Sequence, residues 1–220
     1  MSTRPQLSLC FPEIDASSAS DQALADVSAF FSKFPVTYEV LVAGKRAANQ
    51  SAVTISSSRA KNLESLFRSA QGEFIFAMGL DLSIPLSECF KILQELISDP
   101  ELGAVFGDRT QKKKKLENTE YRTTLPRIEN FFSGILHEKT KWPFKDPFCP
   151  VFALRKSALD QIAPEIKSSG WHWTPEVQRL VQKFKIKATE IPLYAGSRRQ
   201  QKAPVLREVL GLLNFVLFRV

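Results

Sequence analysis

Cysteine and histidine are both scarce in this chain. The three cysteines, Cys10, Cys89 and Cys149, stand far apart, are odd in number and form no CxxC pair. That excludes a disulfide framework and a cysteine-based zinc site, and it predicts a reducing compartment. His137 and His172 are the only histidines, and neither has an acidic partner at metal-ligand spacing. No window of about 18 residues is uninterruptedly apolar, so a membrane-spanning helix is not expected. The apolar start of the chain is broken by Pro12, Glu13 and Asp15, too early for a secretory leader. Internal repeats are absent, and the only biased stretch is the lysine run at 112–115. A cytoplasmic protein is expected, either soluble or peripheral on the inner face of a membrane.

What the chain does contain is a globular composition. Of its 220 residues, 44% are hydrophobic and 24% charged, too apolar for a disordered chain and too mixed for a fibrous one. A chain of this length can bury a sizeable core in one domain. Its formal net charge of +7 favours an anionic partner: nucleic acid, nucleotide phosphates or an acidic membrane surface. No nucleic-acid reading motif or aromatic-basic signature accompanies the charge, so nucleic acid is not the expected partner.

Short apolar runs alternate with helical patterns through the first half, the signature of a parallel α/β sheet. Strands are predicted at 6–11, 37–42, 53–55, 73–78 and 104–106, and helices at 21–34, 60–69 and 85–98. The second half is less regular. A solvated loop at 111–120 precedes helices at 127–136, 156–162 and 175–184, strands at 150–154 and 186–192, and a helix from Pro204 to the end.

Six segments carry a family resemblance. They are LSLCFPEID (7–15), YEVLVAGKR (38–46), GEFIFAMGLDLSIP (72–85), VFGDR (105–109), DPFCPVFALRKSAL (146–159) and ATEIPLYAGSRRQQK (188–202). In this order and at these spacings the chain resembles the family 2 glycosyltransferases, and most of all the polyprenyl-phosphate branch of the dolichyl-phosphate mannosyltransferase type. The segments are similar, in turn, to the opening nucleotide-binding strand, the second strand with its acidic loop, and the metal-binding DxD segment. The remaining three are similar to the Gly-Ser-Arg strand end, the Asp…Gly-Phe-Arg acceptor-side segment and the Glu-x-Pro strand with its basic loop. The resemblance implies an α/β, GT-A-type nucleotide-sugar transferase fold, with a mostly parallel central sheet flanked by helices. It implies a donor half before about Arg109 and an acceptor half after it. Residues 1–203 would form the transferase domain and 204–220 an amphipathic helix.

The departures fall on donor recognition. Gly44 and Lys45 stand where the family keeps a pair of aspartates for base and ribose, and Gly79-Leu80-Asp81 stands in place of DxD. A divalent cation is held by carboxylates and bridges phosphate oxygens. Mg2+ or Mn2+ is therefore expected to bind weakly or not at all, with Asp81 as the one surviving ligand. Guanidinium and ammonium groups can neutralise the leaving diphosphate instead. Arg198, Arg199 and Lys202, in the loop that the resemblance sets near the donor phosphates, are the candidates, together with Lys45 and Arg109. Asp15 or Glu13 would supply a carboxylate at the end of the first strand. A phosphate acceptor is already an anion and needs no strong base. A hydroxyl acceptor would need one, for which Asp146 and Glu176 are the candidates. Each has a plainer reading, Asp146 as a turn initiator before Pro147 and Glu176 as a favourable charge near a helix N-terminus.

Trp171-His172-Trp173 reads either as a sugar-stacking platform or as a packed corner. The tail at 204–220 is mostly apolar, with Arg207, Glu208, Asn214 and Arg219 as exceptions. It would lie in a membrane interface, pack on the core or form a homodimer. Two functions follow. One is a glycosyltransferase-like protein that handles a nucleotide sugar and a polyprenyl-phosphate acceptor at the cytoplasmic membrane face. The other is a catalytically inactive pseudo-glycosyltransferase that serves as a binding or regulatory module.

Overall fold

The computed structural model describes residues 4–12, 18–43, 51–53, 59–79, 82, 84–110, 124–167, 173–194 and 205–218. The first half of the chain runs β1 (Leu7–Phe11), α1 (Ser18–Phe31), β2 (Tyr38–Ala43), β3 (Ser51–Val53), α2 (Arg59–Ser69), β4 (Phe74–Ala77), α3 (Leu86–Ser98) and β5 (Ala104–Asp108). There follow α4 (Thr124–Thr140), β6 (Phe152–Arg155), α5 (Lys156–Ile162), a 3-10 turn (Ala163–Glu165), α6 (Trp173–Lys183), β7 (Ala188–Pro192) and α7 (Val205–Phe218). The strands form one sheet in the order β3-β2-β1-β4-β6-β5-β7. All neighbours pair in parallel except β6, which is antiparallel to both β4 and β5.

The apolar runs are explained by burial on both faces. Every residue of β1 and β5 is buried, as expected for strands covered by helices on either side. Successive side chains point to opposite faces. Leu7, Leu9 and Phe11 thus join α1 and α3 in one cluster, while Cys10 joins a second with Leu66 and Phe67 of α2. The same alternation divides β6. Phe152 and Leu154 meet α5 and α6, and Ala153 meets the α3 side. Phe152 lies at the centre of an aromatic group, 5.7 Å from Phe106, 6.2 Å from Phe67 and 5.2 Å from Trp173 between ring centroids. Phe106 is also its register partner across the β5–β6 pair, so these rings fix where β6 docks. Helix α7 adds Leu212 and Phe215 to this cluster, alongside Phe132 and Leu136 of α4.

Helix α3 shows how the sequence closes an element. Cys89, Ile92, Leu93 and Leu96 are its buried residues, an i, i+3, i+4, i+7 stripe that faces the sheet. Carbonyls near its end have no partner within the helix. Arg155, at the end of β6, donates from Nη2 to the Leu96 carbonyl at 2.7 Å and to the Asp99 carbonyl at 3.1 Å. Its Nε donates to the Leu102 carbonyl at 2.7 Å.

Six of the seven described strands therefore end at one edge of the sheet, and β6 begins there. Beyond β1 the chain moves outward to β2 and β3, then returns to place β4 on the other side of β1. A crevice outside the carboxyl ends of strands at such a reversal is where open α/β sheets bind ligands.

Candidate functional site

At this edge the ends of β5 and β7 and the turn that enters β6 converge. Gly107 in β5 allows the approach: a Cβ there would lie 2.5 Å from Leu193 Cδ1 and 2.7 Å from Cys149 Sγ. Arg109, just beyond β5, meets Asp146 in the turn before β6. Its Nε donates to Asp146 Oδ2 at 2.6 Å, its Nη2 to Oδ1 at 2.9 Å, and its main-chain N–H to Oδ2 at 3.1 Å. Glu129 of α4 flanks the same guanidinium at 3.6 Å from Nη2. This is a bidentate fork on a carboxylate, the strongest geometry available to such a pair. The Arg109 and Asp146 side chains are 16% and 8% exposed. Burial disfavours the Asp146 charge, but the Arg109 guanidinium and the N–H groups of Arg109 and Phe148 outweigh it and hold the carboxyl below its ordinary range. Burial likewise disfavours the Arg109 charge, and Asp146 more than restores it.

The turn is held from two further elements. Glu190 of β7 accepts the Lys145 N–H at 2.7 Å and the Asp146 N–H at 3.2 Å. Burial pushes the Glu190 carboxyl above its ordinary range, those two N–H groups oppose the shift, and the charges of Asp108 and Asp146 add to it. Gln178 of α6 donates to the Asp146 carbonyl at 3.4 Å and accepts Trp142 Nε1–H at 2.9 Å. Asp108, the last residue of β5, is 1% exposed. Its Oδ1 accepts the Thr110 N–H at 2.7 Å and the Thr110 hydroxyl at 2.5 Å. Its Oδ2 is buried without a hydrogen-bond partner among the described residues.

The comparisons agree with this architecture. Glucosyl-3-phosphoglycerate synthase from Mycobacterium tuberculosis, solved with Mn2+, uridine diphosphate and phosphoglyceric acid, superposes with a TM-score of 0.68 at 11% identity, over 96% of this chain and 78% of that one. A second structure, described as a mycobacterial protein, gives 0.70 at 12% identity over 96% and 74%. The chain has the GT-A glycosyltransferase fold. In sequence, glycosyltransferase AglD of Haloferax volcanii is 20% identical over 150 residues, which are 68% of this chain and 23% of that protein. The chain thus matches less than a quarter of that relative's length. No family model matches it.

Within this GT-A frame the expected site residues separate into groups. Arg109 and Asp146 are brought together. Glu176 is fully buried in the first turn of α6 and accepts the Lys167 N–H at 3.0 Å. Two positions on, and so about 200° round the helix, Gln178 faces the Asp146 turn. Trp173, from the tryptophan-rich segment, is a core residue packed against Phe152. His137 turns Nδ1 to the Ser133 carbonyl at 2.7 Å and Nε2 to the Phe144 carbonyl at 2.8 Å, which occupies it structurally. Asp15, Lys45, Asp81, Arg198, Arg199 and Lys202 lie outside the described residues, as do Glu13, Gly44 and the lysine run.

The metal question turns on β4. Gly79 is buried just beyond that strand, beside the end of β1, whose Cys10 carbonyl accepts the Met78 N–H at 3.1 Å. It offers no carboxylate, and no group of three or more potential ligands occurs among the described residues. These residues do not by themselves fit a divalent cation, and no chemical step is assigned to one.

Sequence reasoning passed over Glu129, Gln178 and Trp142 altogether. It noted Glu190 only as part of the Glu-x-Pro landmark and Asp108 only within VFGDR. Cys149, also in the site, has its thiol pushed up to about 12, chiefly by burial, and is therefore no nucleophile.

Proposed function

We propose that this chain is a glycosyltransferase-like module that takes a nucleotide sugar into the crevice at the carboxyl ends of β1 and β4. It would meet an anionic, phosphate-bearing acceptor on the β5–β7 side. The observation that carries this reading is the bidentate Arg109–Asp146 pair, fixed at the ligand-binding edge of a GT-A sheet. A guanidinium clamped along its Nε edge turns its opposite edge away from the carboxylate, and that planar edge suits a phosphate. Asp146 then serves to orient Arg109. With both oxygens engaged and its carboxyl held below the ordinary range, it is poorly suited to abstract a proton. Since a phosphate acceptor is already an anion, the site needs no strong base. The solved relatives with phosphoglyceric acid and UDP-glucose are consistent with an acceptor of this class.

Polyprenyl phosphate at an anionic membrane surface is the acceptor we favour. Helix α7 supports it by leaving Leu210 and Leu213 exposed, at 59% and 38%. No described helix is long and apolar enough to cross a membrane, so contact would be interfacial. Asp81, Lys45, Arg198, Arg199 and Lys202 are proposed to face the donor diphosphate, with Asp15 at its nucleoside end. A second reading, a pseudo-glycosyltransferase that binds without transfer, is favoured by Gly79 at a carboxylate position.

Calorimetric titration with uridine and guanosine diphosphates and their sugars, with and without Mn2+, decides the matter. Binding that Asp81→Ala removes only in the presence of Mn2+ supports a metal-assisted donor site. Metal-independent binding lost in Arg198→Ala supports a cationic substitute. Binding without sugar turnover supports the second reading, and no binding at millimolar ligand overturns the transferase reading.

A further inference from the structure

We infer that Glu190 is a positioning residue for the phosphate-facing edge of the site: by holding the main-chain N–H groups of Lys145 and Asp146, it aims the Asp146 carboxylate at Arg109 and so sets the guanidinium's direction. This assignment deepens the proposed function and rests on it for the phosphate, though not for the positioning itself.

The geometry is over-determined in one respect only. Asp146 uses its carboxylate on Arg109 and on the Phe148 N–H at 3.2 Å, and its carbonyl accepts from Gln178 at 3.4 Å. The side-chain contacts fix the aim of Asp146 only if the main chain of the turn is itself fixed. Glu190 is the side chain that takes both successive N–H groups there, at 2.7 and 3.2 Å, across a sequence separation of 45 and 44 residues. It can do so because β7 runs beside β5, with Glu190 in register with Phe106. The strand that carries Glu190 and the strand that leads into Arg109 are therefore one rigid pair, and the turn is tied to both. A carboxylate is needed for this work: two oxygens receive two donors, whereas an amide would set an NH2 against one of them.

The surroundings make the grip sensitive to pH. Asp108 on β5 and Asp146 in the turn face Glu190 with negative charge, and the hydrogen bonds from the Lys145 and Asp146 N–H groups are the counterweight. On acidification Glu190 gains a proton while Asp146, held down by Arg109, keeps its charge. The grip on the turn would then loosen before the ion pair breaks.

The test uses the full chain and nitrogen-15 NMR, reading the Arg109 Nε–H signal and the Lys145 and Asp146 amides. In the wild type all three should exchange slowly. In Glu190→Gln the two amides should exchange about tenfold faster or more, as for a lost buried hydrogen bond, and the Nε–H signal should move towards that of a solvated arginine. Glu190→Asp should restore part of the protection. Should Glu190→Gln not fold, acid titration of the wild type reads the same property: the two amides should lose protection at higher pH than the Arg109 Nε–H does. Unchanged amides and Nε–H in a folded Glu190→Gln, or simultaneous loss of all three signals in acid, would overturn the assignment. Inorganic phosphate, titrated in parallel with the Arg109 Nε–H signal as its readout, separates the two ideas. If the wild type does not bind it, the phosphate reading of Arg109 falls while the NMR still decides the role of Glu190.

Discussion

Asp146 is the residue on which the site's stability turns. Two buried opposite charges that satisfy one another contribute little net, but removing one strands the other, at a cost of about 3–5 kcal/mol. Asp146→Asn keeps the shape and one acceptor oxygen while taking the charge from Arg109, which retains Glu129 at 3.6 Å. Urea unfolding at pH 7 should show a loss near the low end of that range. The pH dependence has a definite sign. The folded-state carboxyl of Asp146 lies below its ordinary range, so its contribution is complete above the ordinary aspartate range and disappears as pH falls through the folded value. Glu190 acts oppositely. Its folded value is raised, so its contribution to global stability is largest below the ordinary glutamate range and declines as pH rises through the folded one. Relief from burial and from the charges of Asp108 and Asp146 exceeds the weakening of its two hydrogen bonds to the turn, so the local grip and the global stability move in opposite directions. In Asp146→Asn the acid-side loss should be shallower than in the wild type, and an equally steep loss would refute the assignment. A different residue-scale limit operates at Gly72. A Cβ there would lie 2.6 Å from the Ser8 nitrogen and 2.8 Å from the Leu7 carbonyl carbon, main-chain atoms that cannot swing aside. Gly72→Ala should therefore cost more than the roughly 1–3 kcal/mol typical of overpacking against side chains, and thermal melting checks it.

At the scale of elements, α3 depends on a residue that is remote in sequence. Arg155 bridges three carbonyls at and beyond the C-terminal end of α3 and stacks at 5.1 Å over Phe74. Arg155→Met keeps the apolar stem but leaves those carbonyls without the donor. A hydrogen bond to a charged group contributes about 1.5–3 kcal/mol, so a loss of at least that size is expected. Faster amide exchange should be confined at first to the last turn of α3 and residues 99–103, and uniform exchange across the sheet would contradict this account. Most elements of this kind were legible beforehand. Helix α5 matches its predicted bounds, and β1, β2 and β4 fall within a residue or so, because buried side chains such as Leu9, Leu41 and Phe76 leave an apolar run in each. Others shifted for identifiable reasons. Helix α4 extends beyond the predicted 127–136 to Thr124–Thr140, since proline is tolerated in a first turn such as that holding Pro126 and residues 137–140 carry no apolar signal. Strand β3 occupies Ser51–Val53 rather than 53–55, having only Ala43, Val42 and Leu41 of β2 as partners to fix its register. The antiparallel setting of β6 could not be read at all, because period-two patterning is the same in either direction. Nor could the site's pairings. Arg109 and Asp146 are separated by 37 residues and Asp146 and Glu190 by 44, and nothing local in either segment encodes the meeting.

At the scale of the molecule, the remaining issue is what α7 does with its two sides. Its inward side is part of the core, with Leu212 and Phe215 at 2% and 1% exposure. Burying one such side chain contributes roughly 1.5–3 kcal/mol, so deleting the helix would remove core contacts and confuse instability with lost binding. The outward side separates the two. Leu210 and Leu213 are three residues apart on one face. With a net charge of +7 over the chain, an apolar stripe on a cationic protein suits an anionic bilayer, where area and electrostatics add. Leu210→Asp combined with Leu213→Asp should leave the melting temperature close to the wild type, since neither residue is part of the buried core. It should sharply reduce sedimentation with phosphatidylserine-containing vesicles, and salt should weaken the wild-type binding as well. A doubly substituted protein that folds and still sediments like the wild type would remove the membrane from the reading. If instead the wild type is a dimer that the double variant dissociates, the stripe meets a second copy, and the acceptor must reach the site from solution.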